Sequence, residues 1–204
     1  MQHSGVPSSR SGPLAAGTLL DMGDHSVEVL QTPLETGDRY RLRIVAQPGG
    51  GPGIDGDDPH VHPMLRETFT CVSGSMRALL GRELIDIRPG RTVEVPAGRV
   101  HGFINTGDAP LIVESDVVFL PPGYRPTVDL MSFAAIYDRL RRQANIDSSS
   151  GEPPMLQMAV LTDAFRGAVM PAGIAGKLIR PLAFVGRLRG YRPEGPPGGD
   201  QGKR

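Results

Sequence analysis

The chain contains five histidines, His3, His25, His60, His62 and His101, and three of them stand where they could meet. His60 and His62 are two residues apart, so on an extended strand both imidazoles point to the same face. Glu67 follows at the start of the next strand, and His101 opens a later one directly after the turn Pro96-Ala97-Gly98. In a rolled-up sheet, residues this far apart in sequence can converge on one interior point. Three imidazoles and a carboxylate form a nitrogen-rich, oxygen-containing donor set. It suits Fe(II), Mn(II), Ni(II), Co(II) or Zn(II), and suits Ca(II) poorly because histidine is not a calcium ligand. Four protein ligands on an octahedral ion would leave two positions for water, substrate or dioxygen, which makes catalysis a hypothesis to weigh. A His-x-His pair alone is more often two surface or hydrogen-bonded histidines. The later His101, inside the same strand-rich region, lifts this pair above that reading. His3 and His25 are assigned no site role.

The elements that must position these residues follow from hydrophobic period and turn chemistry. Val27–Thr32 and Tyr40–Val45 read as strands, the second alternating Tyr40, Leu42 and Ile44 against Arg41 and Arg43. A Gly/Asp/Pro loop over 49–59 leads to a dense series of short strands near His60–Pro63, Glu67–Val72, Ser75–Leu80, Glu83–Ile87, Thr92–Val95, Val100–Thr106 and Leu111–Phe119. Their breaks hold Gly74, Gly81, Pro89-Gly90, Pro96-Ala97-Gly98 and Gly107-Asp108. No helix-length segment separates them, so they predict an antiparallel sandwich or barrel and not a βαβ fold. After Pro121-Pro122-Gly123 the period changes: Leu130, Phe133, Tyr137 and Leu140 predict a helix over 129–143. Met155–Phe165 and Ile174–Leu188 are further helical segments, with Pro181 expected to kink or restart the last. The expected division is a flexible tail over 1–20, a barrel over 21–125, a helical extension over 126–190 and a second flexible tail over 191–204.

Composition narrows the partners. The chain has 204 residues, 27 of them Gly and 20 Pro, with 22 basic against 22 acidic side chains. Without a bulk positive field, and with no Trp to stack on, nucleic acid is not an expected partner. The lone Cys71 excludes an internal disulfide framework. No secretion signal and no apolar run long enough to span a bilayer is read in the sequence, so a cytoplasmic location is the default expectation.

The segment from His60 to Asn105 resembles the cupin superfamily in both of its signature motifs. The first stands as His60-Val61-His62, four residues, Glu67, six residues, Gly74. The second stands as Gly90, five residues, Pro96-Ala97-Gly98, two residues, His101, three residues, Asn105. Fifteen residues separate the two motifs. One element departs: where the family usually places a glycine, six residues before the first histidine, this chain has Ile54, flanked by Gly53 and Gly56. The resemblance covers about residues 40 to 120. It implies an all-β fold, an antiparallel double-stranded β-helix or jelly-roll barrel, here followed by C-terminal α-helices. It implies His60, His62, Glu67 and His101 as the ligands of one divalent transition metal, Fe(II) favoured and Mn(II), Ni(II), Co(II) or Zn(II) possible. It implies turn positions at Gly74, Gly90, Pro96 and Gly98, with Asn105 holding a turn, and a homodimer.

Alternation from the ligands sends Phe69, Cys71 and Phe103 inward, giving a largely apolar pocket suited to a small organic substrate. Cys71 reads foremost as a small buried core side chain. Arg41, Arg43, Arg66 and Arg77 are candidate anchors for an anionic ligand, each more readily a solvated surface charge. Tyr40 and Glu114 could act as acid or base but have equally ordinary structural explanations. Lys177, Arg180, Arg187, Arg189 and Arg192 interleave with Ile174, Leu178, Leu182, Val185 and Leu188. That helix is expected to pack on the barrel or a partner subunit with its charges in water, and membrane-surface contact is not expected. The leading expectation is a mononuclear metal-dependent enzyme, foremost an oxygenase. A metal-dependent isomerase, cyclase or decarboxylase working without dioxygen, and a non-catalytic binding or sensing barrel, are the alternatives.

Overall fold

The computed structural model describes residues 12–52, 59–147 and 153–195. The expected tails beyond these limits, His3, the Gly53–Gly56 stretch around Ile54 and most of the linker before the second long helix lie outside the described residues. Two antiparallel sheets face each other. One has the order β1 (Leu19–Asp21), β2 (His25–Gln31), β3 (Arg39–Ala46), β10 (Leu111–Phe119), β5 (Leu65–Ser73), β8 (Thr92–Val95). The other has the order β11 (Met170–Pro171), β4 (His60–Val61), β9 (His101–Asn105), β6 (Met76–Leu80), β7 (Glu83–Ile87). Successive strands that cross between sheets make this a double-stranded β-helix, the expected jelly roll.

Alternation fixes the inner faces. Leu65, Glu67, Phe69 and Cys71 are buried along β5, and Leu111, Val113, Ser115 and Val117 along β10. Phe69 meets Phe103 of β9 with ring centroids 5.1 Å apart, closing the gap between the sheets. Gly74 has φ +95°, and a Cβ there would stand 2.9 Å from Leu111 Cα, so only glycine lets the chain pass this close to β10. Asn105 closes the neighbouring turn: its amide donates to Ala46 O (3.1 Å) and Ala109 O (2.8 Å) and accepts from Gly107 N–H (2.9 Å).

A short helix α1 (Pro33–Thr36) joins β2 to β3, and three longer ones follow the barrel: α2 (Leu130–Asp147), α3 (Met155–Ala164) and α4 (Gly173–Leu188). The buried Asp129 caps α2, its Oδ1 accepting from Met131 and Ser132 N–H (3.0 and 3.1 Å). Its Oδ2 accepts from Tyr40 OH (3.2 Å) and Tyr124 OH (2.9 Å), which ties the helix start to β3. The structure adds to the sequence reading at four places. Residues 12–20, read as tail, run along the barrel, with Leu14 N–H donating to Tyr40 OH (3.0 Å) and Leu19–Asp21 pairing with β2. The C-terminal region returns to the barrel through β11, which pairs with β4. Helix α4 continues through Pro181, since the carbonyl it strands, on Lys177, belongs to an exposed turn that water can reach. The face of α4 that packs is Ile179, Ala183 and Gly186, while Ile174, Leu178, Val185 and Leu188 stay exposed. Small residues decide this: a Cβ on Gly186 would stand 2.7 Å from Val160 of α3, so that face permits the closest helix approach. No helix among the described residues is long and apolar enough to cross a membrane.

Candidate metal centre

The histidines meet because three short strands are stitched side by side. β4 pairs with β9 so that His60 lies opposite His101, and with β11 so that His60 lies opposite Pro171. His62 leaves β4 one residue later, and Glu67 enters from β5 in the facing sheet. Ring centroids stand 4.5 Å (His60–His101), 4.8 Å (His62–His101) and 4.9 Å (His60–His62) apart. One ligand atom from each of the three rings lies within 4.8 Å of the others. Exposure is 0% for His101, 2% for His62 and 5% for Glu67, so the cluster is withdrawn from water, with His60 half-buried on its open side.

Proton placement is the informative part. His62 Nδ1 is 2.6 Å from Ala168 O, and His101 Nδ1 is 2.8 Å from Arg99 O. A carbonyl only accepts, so both Nδ1 atoms carry a proton, and each ring turns its Nε2 inward. Those Nε2 atoms face a carboxylate: Glu67 Oε2 lies 3.1 Å from His62 Nε2 and 3.4 Å from His101 Nε2. The His101 Nε2 atom is buried and makes no hydrogen bond. Neutral rings would thus direct lone pairs at an anion in a buried space, an arrangement that requires a cation among them, a proton or a metal ion. The donor set passes the chemical test for a divalent transition metal: oriented imidazole nitrogens, with Nδ1–H held by backbone carbonyls, and a carboxylate oxygen. Glu67 Oε1 accepts from Ser115 Oγ–H (2.8 Å), which fixes the carboxylate's rotation. Burial by itself would push the Glu67 carboxyl up, but His101 and His62 in their protonated, donating form outweigh it and hold it below the usual carboxylate range, so a cation beside Glu67 keeps it ionised.

His60, His62 and Glu67 line one wall of a cavity of about 680 Å³. His101 stands behind them, packed on Phe69 with centroids 6.0 Å apart. The remaining walls are mostly apolar, Val27, Leu42, Ile44 and Phe69 from the barrel and Leu130, Met131, Phe133 and Met158 from the helices. Of the expected inward residues, Phe69 reaches the cavity. Phe103 and Cys71 are buried without lining it, and burial pushes the Cys71 thiol up.

The candidate anchors are elsewhere. Arg41, Arg43, Arg66 and Arg77 lie outside the barrel, paired with Asp116 (3.0 Å), Glu114 (3.2 Å), Glu94 (3.8 Å) and Asp86 (2.7 Å). Glu114 is thereby an outer-face partner, and Tyr40 is buried against Asp129. Sequence reasoning missed four contributors to the site. Ala168, between α3 and β11, supplies the carbonyl that orients His62. Ser115 is the one polar side chain in the inward row of β10, a signal that alternation could have exposed. His25, given no role, lines the cavity with its Nδ1 2.8 Å from Asp24 Oδ1. Its hydrogen bond, foremost, holds Asp24 below the ordinary range. Arg141, from α2, lines the cavity as well.

Residues 43–120 match the family model described as Cupin domain. No curated protein matches the chain. Among solved structures, it is similar to an uncharacterized conserved protein with a double-stranded beta-helix domain from Klebsiella pneumoniae, at 28% identity over 50% of this chain and 81% of that one, TM-score 0.42. It is also similar to a predicted oxalate decarboxylase from Thermotoga maritima, at 18% identity over 47% and 80%, TM-score 0.42. A third is a sugar phosphate isomerase from a cupin superfamily, of Silicibacter pomeroyi, at 22% identity over 54% and 67%, TM-score 0.41.

Proposed function

We propose that this chain, whose residues 43–120 match a cupin domain model, is a mononuclear metal-dependent enzyme in which His60, His62, Glu67 and His101 hold one divalent transition ion, Fe(II) in the favoured case. The reading is carried by one observation: inward Nε2 atoms converge on a buried carboxylate at the wall of a ligand-sized cavity. An ion held there would supply redox or Lewis-acid chemistry at the coordination positions that the protein leaves open. The chain's own residues do the rest. Ser115 and the carbonyls of Ala168 and Arg99 fix the donor orientations. The apolar walls exclude water from a small organic substrate and hold it beside the histidines. Oxygenase action on that substrate is the leading form, and a homodimer, common among cupins, is the proposed assembly. The working unit is the barrel read over about 21–125, to which residues 12–20 add its edge strand, with a helical extension over about 126–190.

A second reading, isomerisation or decarboxylation without dioxygen, is favoured by the Asp24–His25 pair in the cavity wall. Asp24 also accepts from Gly51 N–H (3.0 Å), so the carboxylate is pinned and in turn orients the imidazole, the arrangement of a general base. The deciding experiment reconstitutes metal-free protein with single metals and measures bound ion, then follows oxygen uptake over a panel of small organic acids and carbonyl compounds. Iron-dependent uptake coupled to product supports the oxygenase. Anaerobic turnover that His25→Gln abolishes, with metal content intact, supports the second reading. Undiminished metal content in single alanine variants of all four proposed ligands rejects both.

A further inference from the structure

From the far wall of the same cavity, we infer that Arg141 is a specificity-determining anchor, and that the ligand is a small organic carboxylate with an apolar body. The inference rests on reading this cavity as the ligand chamber and deepens it by naming the ligand's charge. Among the described residues, Arg141 is one of two basic side chains lining the cavity apart from the proposed ligands, the other being His25, which Asp24 already engages. The Arg141 side chain is only 17% exposed, and among the described residues its two carboxylate pairings are long ones. Nη2 donates to the carbonyl of Asp21 (2.9 Å), while the nearest carboxylate oxygens, on Asp21 and Asp138, are both 3.8 Å away. Each of those acids has another partner: Asp138 accepts from Arg142 Nε through both oxygens (2.9 and 3.0 Å), and Asp21 Oδ1 accepts from Gly23 N–H (3.0 Å). Arg141 Nε is buried with no hydrogen-bond partner among the described residues.

A largely desolvated guanidinium without a tight counter-ion is costly unless something anionic completes it. Its surroundings are built to keep it there. Gly23 has φ +98°, and a Cβ at that position would stand 3.2 Å from Arg141 Nη1, so a glycine turn makes room for the cation at the cavity's edge. The planar fork of donors matches a carboxylate, and one positive charge with two acids nearby balances a monoanion better than a phosphate dianion. Leu130, Phe133 and Ala134 precede Arg141 on the same helix and line the cavity, so the space offered to the ligand's body is apolar.

The test uses the full-length chain stripped of metal, with naphthoate, naphthamide and naphthyl phosphate as probes, read by calorimetry. Metal-free wild-type protein is expected to bind naphthoate about tenfold tighter than naphthamide, and Arg141→Gln to erase that preference while leaving naphthamide affinity unchanged. Arg141→Lys should retain part of it. Equal affinities, no binding of either probe, a preference that survives Arg141→Gln, or tighter binding of the phosphate each overturns the assignment. Should Arg141→Gln fail to fold, the wild-type comparison decides alone. Metal content, measured separately on reconstituted wild type and Arg141→Gln, should be equal. Failure of the wild type to take metal would sink the metal reading without touching the anchor, because the probe measurements contain no ion.

Discussion

Glu67 and Glu114 sit on adjacent antiparallel strands of one sheet, and they differ in the face they occupy. Glu67 points inward, 5% exposed, and is bound by His62 and Ser115 with His101 at 3.4 Å. Glu114 points outward with its side chain 40% exposed and meets Arg43 at 3.2 Å. Outside, water solvates each charge with or without a partner, so pairing adds little. Inside, the charge exists only because a cation held among the nitrogens, together with a hydroxyl, replaces water, and removing either leaves a buried group uncompensated. The same amino acid is a proposed metal ligand on one face and a solvated charge on the other.

The largest way to break that contrast is to neutralise both carboxylates in turn. Glu67→Gln should lower metal affinity by about 100-fold or more, since even the partners that merely orient ligands are typically worth 10- to 100-fold. Glu114→Gln should leave it unchanged. Metal titration of the two variants side by side checks this, and equal losses would mean that the ion, if bound, is not bound at Glu67.

This inside–outside division was largely legible in the sequence, because a strand's two-residue period assigns faces without reference to the rest of the fold. His60 with His62, and Glu67 with Phe69, follow from it, while Gly74, Gly90 and Gly98, all with positive φ, were legible from turn chemistry and the cupin resemblance. What stayed hidden lacks a period or depends on packing partners. Met170–Pro171 is too short to show alternation, so its place beside β4 was invisible. Arg141 follows Tyr137 by one helical turn and lines the cavity with it, but a charge near an apolar stripe reads as solvent-facing until the helix has a place to lie. For α4, small residues won over the larger apolar stripe, a choice made by Val160 on the neighbouring helix and not by α4 itself. His25 looked idle because its role depends on which cavity β2 faces.

An intermediate effect comes from Tyr40, the inward neighbour of outward Arg41 on β3. Its hydroxyl donates to Asp129 and accepts from Leu14 N–H, so Tyr40→Phe should cost about 2 kcal/mol in unfolding measurements, the scale of a hydrogen bond to a charged group. Burial foremost, then the Asp129 charge, pushes the Tyr40 phenol up, and Tyr124 is raised for the same reasons. Below pH of about 10 both folded and unfolded phenols are protonated, and stability does not depend on them. Above it the unfolded chain releases protons that the folded chain retains, so stability falls as pH rises. Ultraviolet titration should therefore find two of the chain's four tyrosines neutral until a cooperative alkaline transition. Four phenols ionising together near pH 10 with the fold intact would contradict the burial of this pair.

The smallest effect tests the outer face directly. Arg43 reaches both Glu114 (3.2 Å) and Glu28 (3.7 Å) across β3's two neighbouring strands, so it looks like the centre of a cross-strand network. All three side chains are at least 40% exposed, and water screens their attraction. Arg43→Ala should cost no more than about 1 kcal/mol in chemical denaturation, and 0.5 M salt should shrink the difference between variant and wild type by roughly half or more. Metal content should be unaffected. A loss comparable to that of Tyr40→Phe, insensitive to salt, would mean that the outer ladder holds the sheet together as strongly as the inner face does. The contrast between Glu67 and Glu114 would then reflect the histidines alone and not burial.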